Sequence, residues 1–403
     1  MYHYKSKLQA FVLALPIILL PLNRYEIGTA LLLLFSLYLL ISSIRVELKN
    51  NIYGSWLALF LCIWIPSLAS LPDAINFSHS ATNTFGQLRY LLAGVAIIYL
   101  SSQPNVKQVF FNILGVALAF VFIDNVVQML TGNDLFGLAP YNGRINAPWT
   151  SDGPKMGIFT ALIGPVIVGY FFDTKPKLAW ILTGMVIFLV LLSGQRGAWL
   201  ALLTSTFIFA ISFGKNLKEH IPTISKVLAS LILLSFITYN SFTPFQIRAD
   251  KTLQALNFDS ASIQESTGRL DIWKGAVDVI KENPINGVGI RGFRYTESTG
   301  NKSRLHVHST TLEILTEAGT TGFIGYIFFF WLIYTKVFRP VSQLTHLQRF
   351  TIGSVIAAAS PLSMSLAFYS SNKATVFWYI TALFVSFFFV KAADKDLELK
   401  KSS

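Results

Sequence analysis

The sequence predicts an all-α, polytopic membrane protein with about twelve transmembrane helices and one large polar loop that itself contains helices. Of the 403 residues, 53% are hydrophobic and only 13% are charged, whereas soluble domains carry about 25% charged residues. A soluble chain of this length could not bury so much apolar surface, so the lipid bilayer must be its solvent. The apolar residues also recur in blocks close to the ~20 residues that a helix needs to cross a bilayer.

Twelve apolar blocks have approximately the length and composition of transmembrane helices. They lie at residues 8–23, 26–44, 53–71, 86–102, 108–130, 155–173, 178–194, 197–214, 222–240, 315–337, 348–369 and 374–391. Because these blocks follow one another along the whole chain, we expect a single integral membrane domain over residues 1–403.

The lysine and arginine residues between the blocks predict the orientation, since they are enriched in cytoplasmic connections. With the N-terminus in the cytoplasm, the inner connections hold 17 of these residues and the short outer connections hold 6. The other nine lie in one long loop, and long loops cross the membrane largely regardless of charge. We therefore expect both termini in the cytoplasm, with a smaller loop at residues 131–154 and a large loop at residues 241–314 on the outer face.

The net charge of +12 does not indicate nucleic-acid binding. The chain has no run of five basic residues, and its cations lie mostly singly between apolar blocks. Topology explains this distribution better than a nucleic-acid interface does. Cys62 is the only cysteine, so no disulfide can form within the chain.

The large loop is predicted to contain an amphipathic helix over residues 269–282. Its apolar side chains recur at helical spacing, at Leu270, Trp273, Ala276, Val277 and Ile280. The Asn-Pro pair at 283–284 is expected to end it, and a glycine-rich turn follows at 287–292. The spacing of these glycines differs from that of phosphate-binding loops. A further helix is predicted from Thr310, with Thr310 and Glu313 as a capping box.

Two arginines on the predicted outer face are candidates for binding phosphate. Arg196 lies in a tight turn between two blocks, and Arg269 begins the loop helix. The planar guanidinium suits phosphate geometry. The plainer interpretations are a charge that snorkels to the interface beside Trp199 and a solvated charge on the helix. A cation at a helix N-terminus is unfavourable for the helix dipole, which favours a functional role for Arg269.

His306 and His308 precede the helix predicted from Thr310. A His-x-His pair can ligate a metal, but no cysteine or further histidine lies nearby, so we expect no metal site. An imidazole beside a helix N-terminus suits a general base, because the positive end of the dipole lowers its pKa.

The smaller loop at 131–154 combines aromatic, amide and charged side chains, including Arg144 and Trp149. Such side chains can stack on sugars and bind their hydroxyl groups, although an ordinary aromatic belt at the membrane interface would have the same composition. Arg89 begins a predicted span and has Asp124 as a candidate partner. Charged residues at that depth are candidates for function.

Four segments, in their order along the chain, resemble O-antigen ligases, within the superfamily that includes O-antigen polymerases and protein O-oligosaccharyltransferases. The segments are Ser193-Gly194-Gln195-Arg196-Gly197-Ala198-Trp199, Gly268-Arg269-Leu270-x-x-Trp273, Asn283-Pro284-x-x-Gly287-x-Gly289, and His308-Ser309-x-x-Leu312-x-x-x-x-Glu317-x-Gly319-x-x-Gly322. The pattern of spans and the long loop after the ninth span extend the resemblance over the whole chain.

The resemblance implies a membrane glycosyltransferase with a C-type-like fold and no cofactor, needing neither a nucleotide nor a metal. Its donor would be a polysaccharide on undecaprenyl diphosphate, its acceptor lipid A–core, and its place the periplasmic face of a Gram-negative inner membrane. Arg196 and Arg269 would bind the diphosphate. His308 would take the proton of the acceptor hydroxyl, and the attack would invert the anomeric carbon. Further candidates for binding substrate are Arg89, Arg144, Trp149, Arg291 and His306.

Other activities fit the same composition. O-antigen polymerases use the same type of donor but commonly carry two large outer loops, and protein O-oligosaccharyltransferases usually carry an additional soluble C-terminal domain. A transporter for lipid-linked sugars would place polar residues at the middle of the bilayer. In this chain, the candidate residues are predicted on one face.

Overall fold

A computed structural model describes residues 2–41, 50–141, 144–145, 156–212, 217–255, 269–296, 306–337, 344–360 and 367–401. This part of the chain forms fifteen α-helices. They are α1 Tyr2–Ile18, α2 Tyr25–Ile41, α3 Asn50–Ala69, α4 Phe77–Gly86, α5 Leu88–Ser102, α6 Pro104–Thr131, α7 Met156–Thr174, α8 Pro176–Leu192, α9 Arg196–Ile211, α10 Leu217–Ser241, α11 Thr243–Ala255, α12 Leu270–Glu282, α13 Thr310–Val337, α14 His346–Ala359 and α15 Ser371–Lys401. A short 3-10 helix at Phe293–Tyr295 lies between α12 and α13.

Six apolar helical segments among the described residues are long enough to cross a membrane. They are Ile52–Ala69, Phe77–Ser102, Pro104–Thr131, Met156–Thr174, Ile224–Ser241 and Thr310–Thr335. The all-helical, multi-pass character predicted from the sequence is therefore confirmed. Each of the twelve predicted blocks overlaps a helix, but α2, α8 and α9 are apolar and shorter, so the number of twelve spans stays a prediction.

Helix α7 lies at the centre of the bundle, and its residues 157–171 are buried. It contacts α8, α9 and α14, and glycines permit their close approach. A Cβ added at Gly164 would lie 2.6 Å from a Val186 methyl group, and one at Gly169 would lie 2.9 Å from the Cα of Leu347. Small residues serve helix packing in membranes in this way. The packing fixes where α8 ends and α9 begins.

The described part of the large loop has its own small apolar core. Buried residues of α12 pack against the chain that follows it, in a cluster of Ile272, Ala276, Val279, Val288, Phe293 and Val307. The helix predicted over 269–282 is confirmed, with Arg269 as its N-cap and Asn283 as its C-cap. The predicted apolar face was partly wrong. Val277 is 40% exposed, because the buried stripe centres on Ile272, Ala276 and Val279.

Helix α13 is interrupted at Gly319, whose φ of 62° and ψ of −160° are not helical. The break leaves backbone groups free to pair with residues 284–288 of the loop. Thr320 N donates to Pro284 O at 2.9 Å, and Val288 N donates to Thr316 O at 3.0 Å. The loop is thereby hydrogen-bonded to a membrane helix at both edges of the break.

Candidate functional site

The turn between α8 and α9 holds Arg196 as the first residue of α9. Gly194 turns the chain with a φ of 58°, a region that glycine adopts without strain. Gln195 Oε1 accepts a hydrogen bond from the backbone N–H of Ile158 at 3.0 Å. Trp199 Nε1 donates to Val190 O at 3.1 Å. These bonds tie the turn to α7 and α8, so the backbone of Arg196 has a fixed position.

Arg269 is the N-cap residue of α12 and lies beside two other arginines. Burial, followed by the charges of Arg196 and Arg144, lowers the pKa of Arg269 below its usual value. The large loop, the α8–α9 turn and the smaller loop therefore bring one arginine each to the same place. Three cations grouped with the N-terminal ends of α9 and α12 favour the binding of an anion there.

The rings of the two histidines before α13 are in contact, tilted by 50° to each other. The ring centroids of His306 and His308 are 3.8 Å apart, and His308 has a positive φ of 58°. Between them, Val307 O accepts a hydrogen bond from Trp273 Nε1 at 3.2 Å. This contact holds the pair against α12, the helix that Arg269 caps. The structure thus brings together two segments that are 34 residues apart in the chain.

Burial and the neighbouring charges keep His306 neutral. Burial first, and then His308, Arg291, Arg269 and Arg294, lower the pKa of His306 to about 3. At neutral pH, its imidazole is therefore uncharged and can accept or donate a hydrogen bond. The same interactions show that the histidine pair lies within electrostatic range of Arg269 on the one hand and of Arg291 and Arg294 on the other.

Three of the predicted substrate-binding residues lie at this site. His306 is one of the paired histidines, Arg291 lies near it, and Arg144 lies near Arg269. Arg89 has other partners. Its guanidinium forms an ion pair with Glu26 at 3.2 Å and donates to Ser371 Oγ at 3.1 Å. Trp149 lies outside the described residues.

The predicted partnership of Arg89 with Asp124 was wrong. Asp124 Oδ1 accepts a hydrogen bond from the backbone N–H of Leu135 at 3.0 Å. The carboxylate therefore holds the start of the smaller loop on α6, and the partner of Arg89 is Glu26 on α2.

The predicted capping role of Glu313 was also wrong. Its carboxylate accepts hydrogen bonds from the backbone N–H groups of Phe368 at 2.9 Å and Tyr369 at 3.4 Å. The hydroxyl group of Thr310 accepts a bond from Lys373 Nζ at 2.9 Å. Glu313, Thr310 and Lys373 are all buried. They connect the start of α13, which directly follows the histidine pair, to the chain around the start of α15.

Glu317 is a further residue whose structural role the sequence did not reveal. It is buried, and its Oε2 accepts a hydrogen bond from the backbone N–H of Arg291 at 2.7 Å. A carboxylate in an apolar segment was a usable signal, since such groups have polar partners in membrane proteins. The bond fixes the loop at Arg291, a residue that has a φ of 60°.

A separate polar cavity of about 680 Å³ lies at the other end of α7. Its lining includes Lys107, Asp173 and Lys175. At a rise of about 1.5 Å per residue, Asp173 is roughly 20 Å along the helix from Ile158. The cavity is therefore distinct from the group of arginines and histidines.

Residues 178–327 match the model of the O-antigen ligase family, and no curated protein matches the chain. The match covers a little over a third of the chain and includes Arg196, Arg269, Arg291, His306 and His308. The match supports an O-antigen ligase family assignment for residues 178–327.

Proposed function

We propose that the protein is an O-antigen ligase that transfers polysaccharide from undecaprenyl diphosphate to lipid A–core during lipopolysaccharide assembly. The observation that carries this proposal is the position of Arg196 and Arg269 at the starts of α9 and α12, in electrostatic contact with each other. His306, whose ring contacts that of His308, lies within electrostatic range of Arg269. An anion-binding group beside a candidate base is what transfer from a diphosphate requires.

The diphosphate binds to Arg196 and Arg269, with Arg144 adding positive charge. Guanidinium groups offer paired N–H donors to phosphate oxygens, and two helix N-termini add their partial positive charge. As the glycosidic bond breaks, its electron pair moves to the diphosphate oxygen. The cations stabilise the charge that develops there, which lowers the barrier to departure of the lipid diphosphate.

His308 accepts the proton of the acceptor hydroxyl group. The oxygen attacks the anomeric carbon from the face opposite the diphosphate, so the new glycosidic bond has inverted configuration. Its neighbour His306 is held neutral by burial and the surrounding charges. A second cation in contact with His308 would disfavour protonation of the base, and a neutral imidazole at that place avoids this repulsion.

The site faces the periplasm of a Gram-negative cell, with both termini in the cytoplasm and the bundle in the inner membrane. The distribution of lysine and arginine along the chain supports this orientation. The partners are the lipid-linked glycan donor and the lipid A–core acceptor, and the reaction needs no cofactor.

A chromosomal deletion tests the proposal against its nearest alternative. A ligase deletion should give lipopolysaccharide without O-antigen, together with accumulated long polymer on undecaprenyl diphosphate. Expression of the wild-type protein should restore O-antigen, whereas expression of His308→Ala should not. Lipid A–core that carries a single repeat unit would instead identify an O-antigen polymerase, and unchanged lipopolysaccharide would refute both activities.

A further inference from the structure

A second group of cationic and imidazole side chains lies beside the histidine pair and includes His306. It is separate from the three arginines of the donor site. Arg291 precedes the 3-10 helix and Arg294 lies within it. The two are within electrostatic range of one another and of His306. His79, at the start of α4, is in range of both arginines. The His79 ring contacts that of Tyr295 with centroids 5.4 Å apart.

Hydrogen bonds between the α3–α4 connection and the large loop hold this group in place. Ile75 N donates to Val288 O at 3.1 Å, and Asn286 Nδ2 donates to Asp73 Oδ2 at 2.7 Å. The backbone N–H of Arg291 donates to the carboxylate of Glu317. The guanidinium group of Arg291 takes no part in that bond. The group is therefore built from segments that are fixed independently of its charged side chains.

Buried polar atoms in this group lack partners. Within the described part of the chain, Arg291 Nη1, Arg294 Nε, His79 Nε2 and His306 Nε2 are shielded from solvent and have no hydrogen-bond partner. Buried polar groups are nearly always paired in folded proteins, because an unpaired one loses its bonds to water without replacement. Four such atoms on neighbouring cations and imidazoles indicate a missing anionic ligand.

The carboxylate of Glu317 does not supply that anion to the guanidinium groups. Its charge acts on Arg294, but its hydrogen bond is to the backbone N–H of Arg291. Glu313 also acts on the charge of Arg291, but Lys373 interacts with Glu313 as well. Two carboxylates therefore face the three cations Arg291, Arg294 and Lys373, which leaves positive charge in excess. Burial, ahead of the charge of Arg291, lowers the pKa of Arg294 below its usual value, as expected where positive charge is in excess.

We infer that Arg291, Arg294, His79 and His306 form a binding site for a phosphate or carboxylate group carried by the acceptor saccharide. This assignment to the acceptor rests on the proposed function, in which Arg196 and Arg269 take the donor diphosphate and His308 takes the acceptor proton. The histidine pair lies within range of both groups, so an anion bound at Arg291 and Arg294 would place its hydroxyl-bearing sugar at His308.

Steady-state transfer by the full-length protein in nanodiscs tests the inference. Two acceptors are compared, one with its anionic groups and one from which they have been removed. Arg294→Gln should raise KM for the anionic acceptor on the order of tenfold to a hundredfold, the range for loss of a bond to a charged group. KM for the altered acceptor, KM for the donor and kcat should each change by less than about threefold.

Two further variants separate binding from folding. Lys274→Gln removes an exposed charge from α12 and should change neither KM. Arg291→Gln keeps the backbone bond to Glu317 and should reproduce the effect of Arg294→Gln. Equal losses on both acceptors, or an increase in the KM of the donor alone, would overturn the inference.

Phosphate binding gives a readout that does not depend on transfer. In the Arg269→Gln background, which weakens the donor site, inorganic phosphate should raise Tm relative to chloride at equal ionic strength. Adding Arg294→Gln should abolish that increase. An increase that persists unchanged would refute the anion site whatever the activity. If the increase depends on Arg294 but no transfer is detected, the anion site stands and the ligase activity fails.

Discussion

The rings of His306 and His308 are in tilted contact, with their centroids 3.8 Å apart, and this contact links the two charged groups of the candidate site. His306 lies within range of Arg269, Arg291 and Arg294, whereas Arg269 interacts with Arg196 and Arg144. A base placed at this junction can act on an acceptor bound on one side and a donor bound on the other. The two imidazoles are thus expected to differ in function.

His308→Ala should lower the rate of glycan transfer by about 10²–10⁴, the usual contribution of a general base. His306→Ala should have a smaller effect on kcat, because His306 does not take the proton in the proposed reaction. The measurement is single-turnover transfer at equal amounts of protein in the membrane. Activity of His308→Ala within a few-fold of the wild type would exclude its role as the base.

Thermal stability should fall as the pH decreases from about 6.5 towards 3. Burial and the neighbouring cations lower the pKa of His306 to about 3 in the folded protein, whereas the unfolded chain has an ordinary value near 6.5. Between these two values, the unfolded state binds more protons, so this residue contributes a slope of at most about 1.4 kcal/mol per pH unit. Above pH ~6.5, both states are neutral at this position and the contribution is flat.

His306→Gln should reduce that slope, since glutamine does not titrate. The measurement is Tm of the purified protein in detergent at a series of pH values, for the variant and the wild type. Lys274→Gln is a suitable control, because it changes an exposed residue of α12 and should keep the wild-type slope. Identical slopes in the wild type and His306→Gln would contradict the assignment.

Local sequence patterns predicted the helices better than they predicted the contacts between them. The helix after Arg269 followed from apolar spacing alone, and the structure contains it. Glu313 shows the limit. A Thr-x-x-Glu pattern is the same whether the carboxylate caps its own helix or binds a distant segment, and its partners are 55 and 56 residues away.

The pairing of Arg89 was missed for a similar reason. Its partner Glu26 is 63 residues away, and no periodic pattern connects the two positions. The gathering of Arg196, Arg269 and His308 on one face was expected from topology and from the family resemblance. Composition could not have indicated Arg294 and His79, because their proximity depends on how residues 73–75 dock against residues 286–288.

Arg196→Lys should be poorly tolerated. Lysine keeps the charge but lacks the planar pair of donors that matches a phosphate group, and the fixed α8–α9 turn leaves the backbone little freedom to compensate. We expect a loss of transfer of about tenfold or more. Arg24→Lys, in a predicted short outer connection, provides the matched control. A fully active Arg196→Lys enzyme would indicate that the arginine only snorkels to the interface.

Gly319→Ala should destabilise the protein, because the break in α13 requires glycine. Its φ of 62° and ψ of −160° lie in a region that other residues enter at a cost of about 1–3 kcal/mol. An added Cβ would also collide with the backbone of Ile285, in the segment that pairs with the break. Lower Tm and faster proteolysis within residues 283–293 are the expected results.

Gly184→Ala is the matched control for that substitution. Gly184 lies inside α8, and an added Cβ would meet nothing within 4 Å. Alanine at such a helical position is favourable by about 0.5–1 kcal/mol, so this variant should keep or raise Tm. If Gly319→Ala were as stable as Gly184→Ala, residues 284–288 could not be docked on the break. The fixed position of Arg291 would then need another explanation.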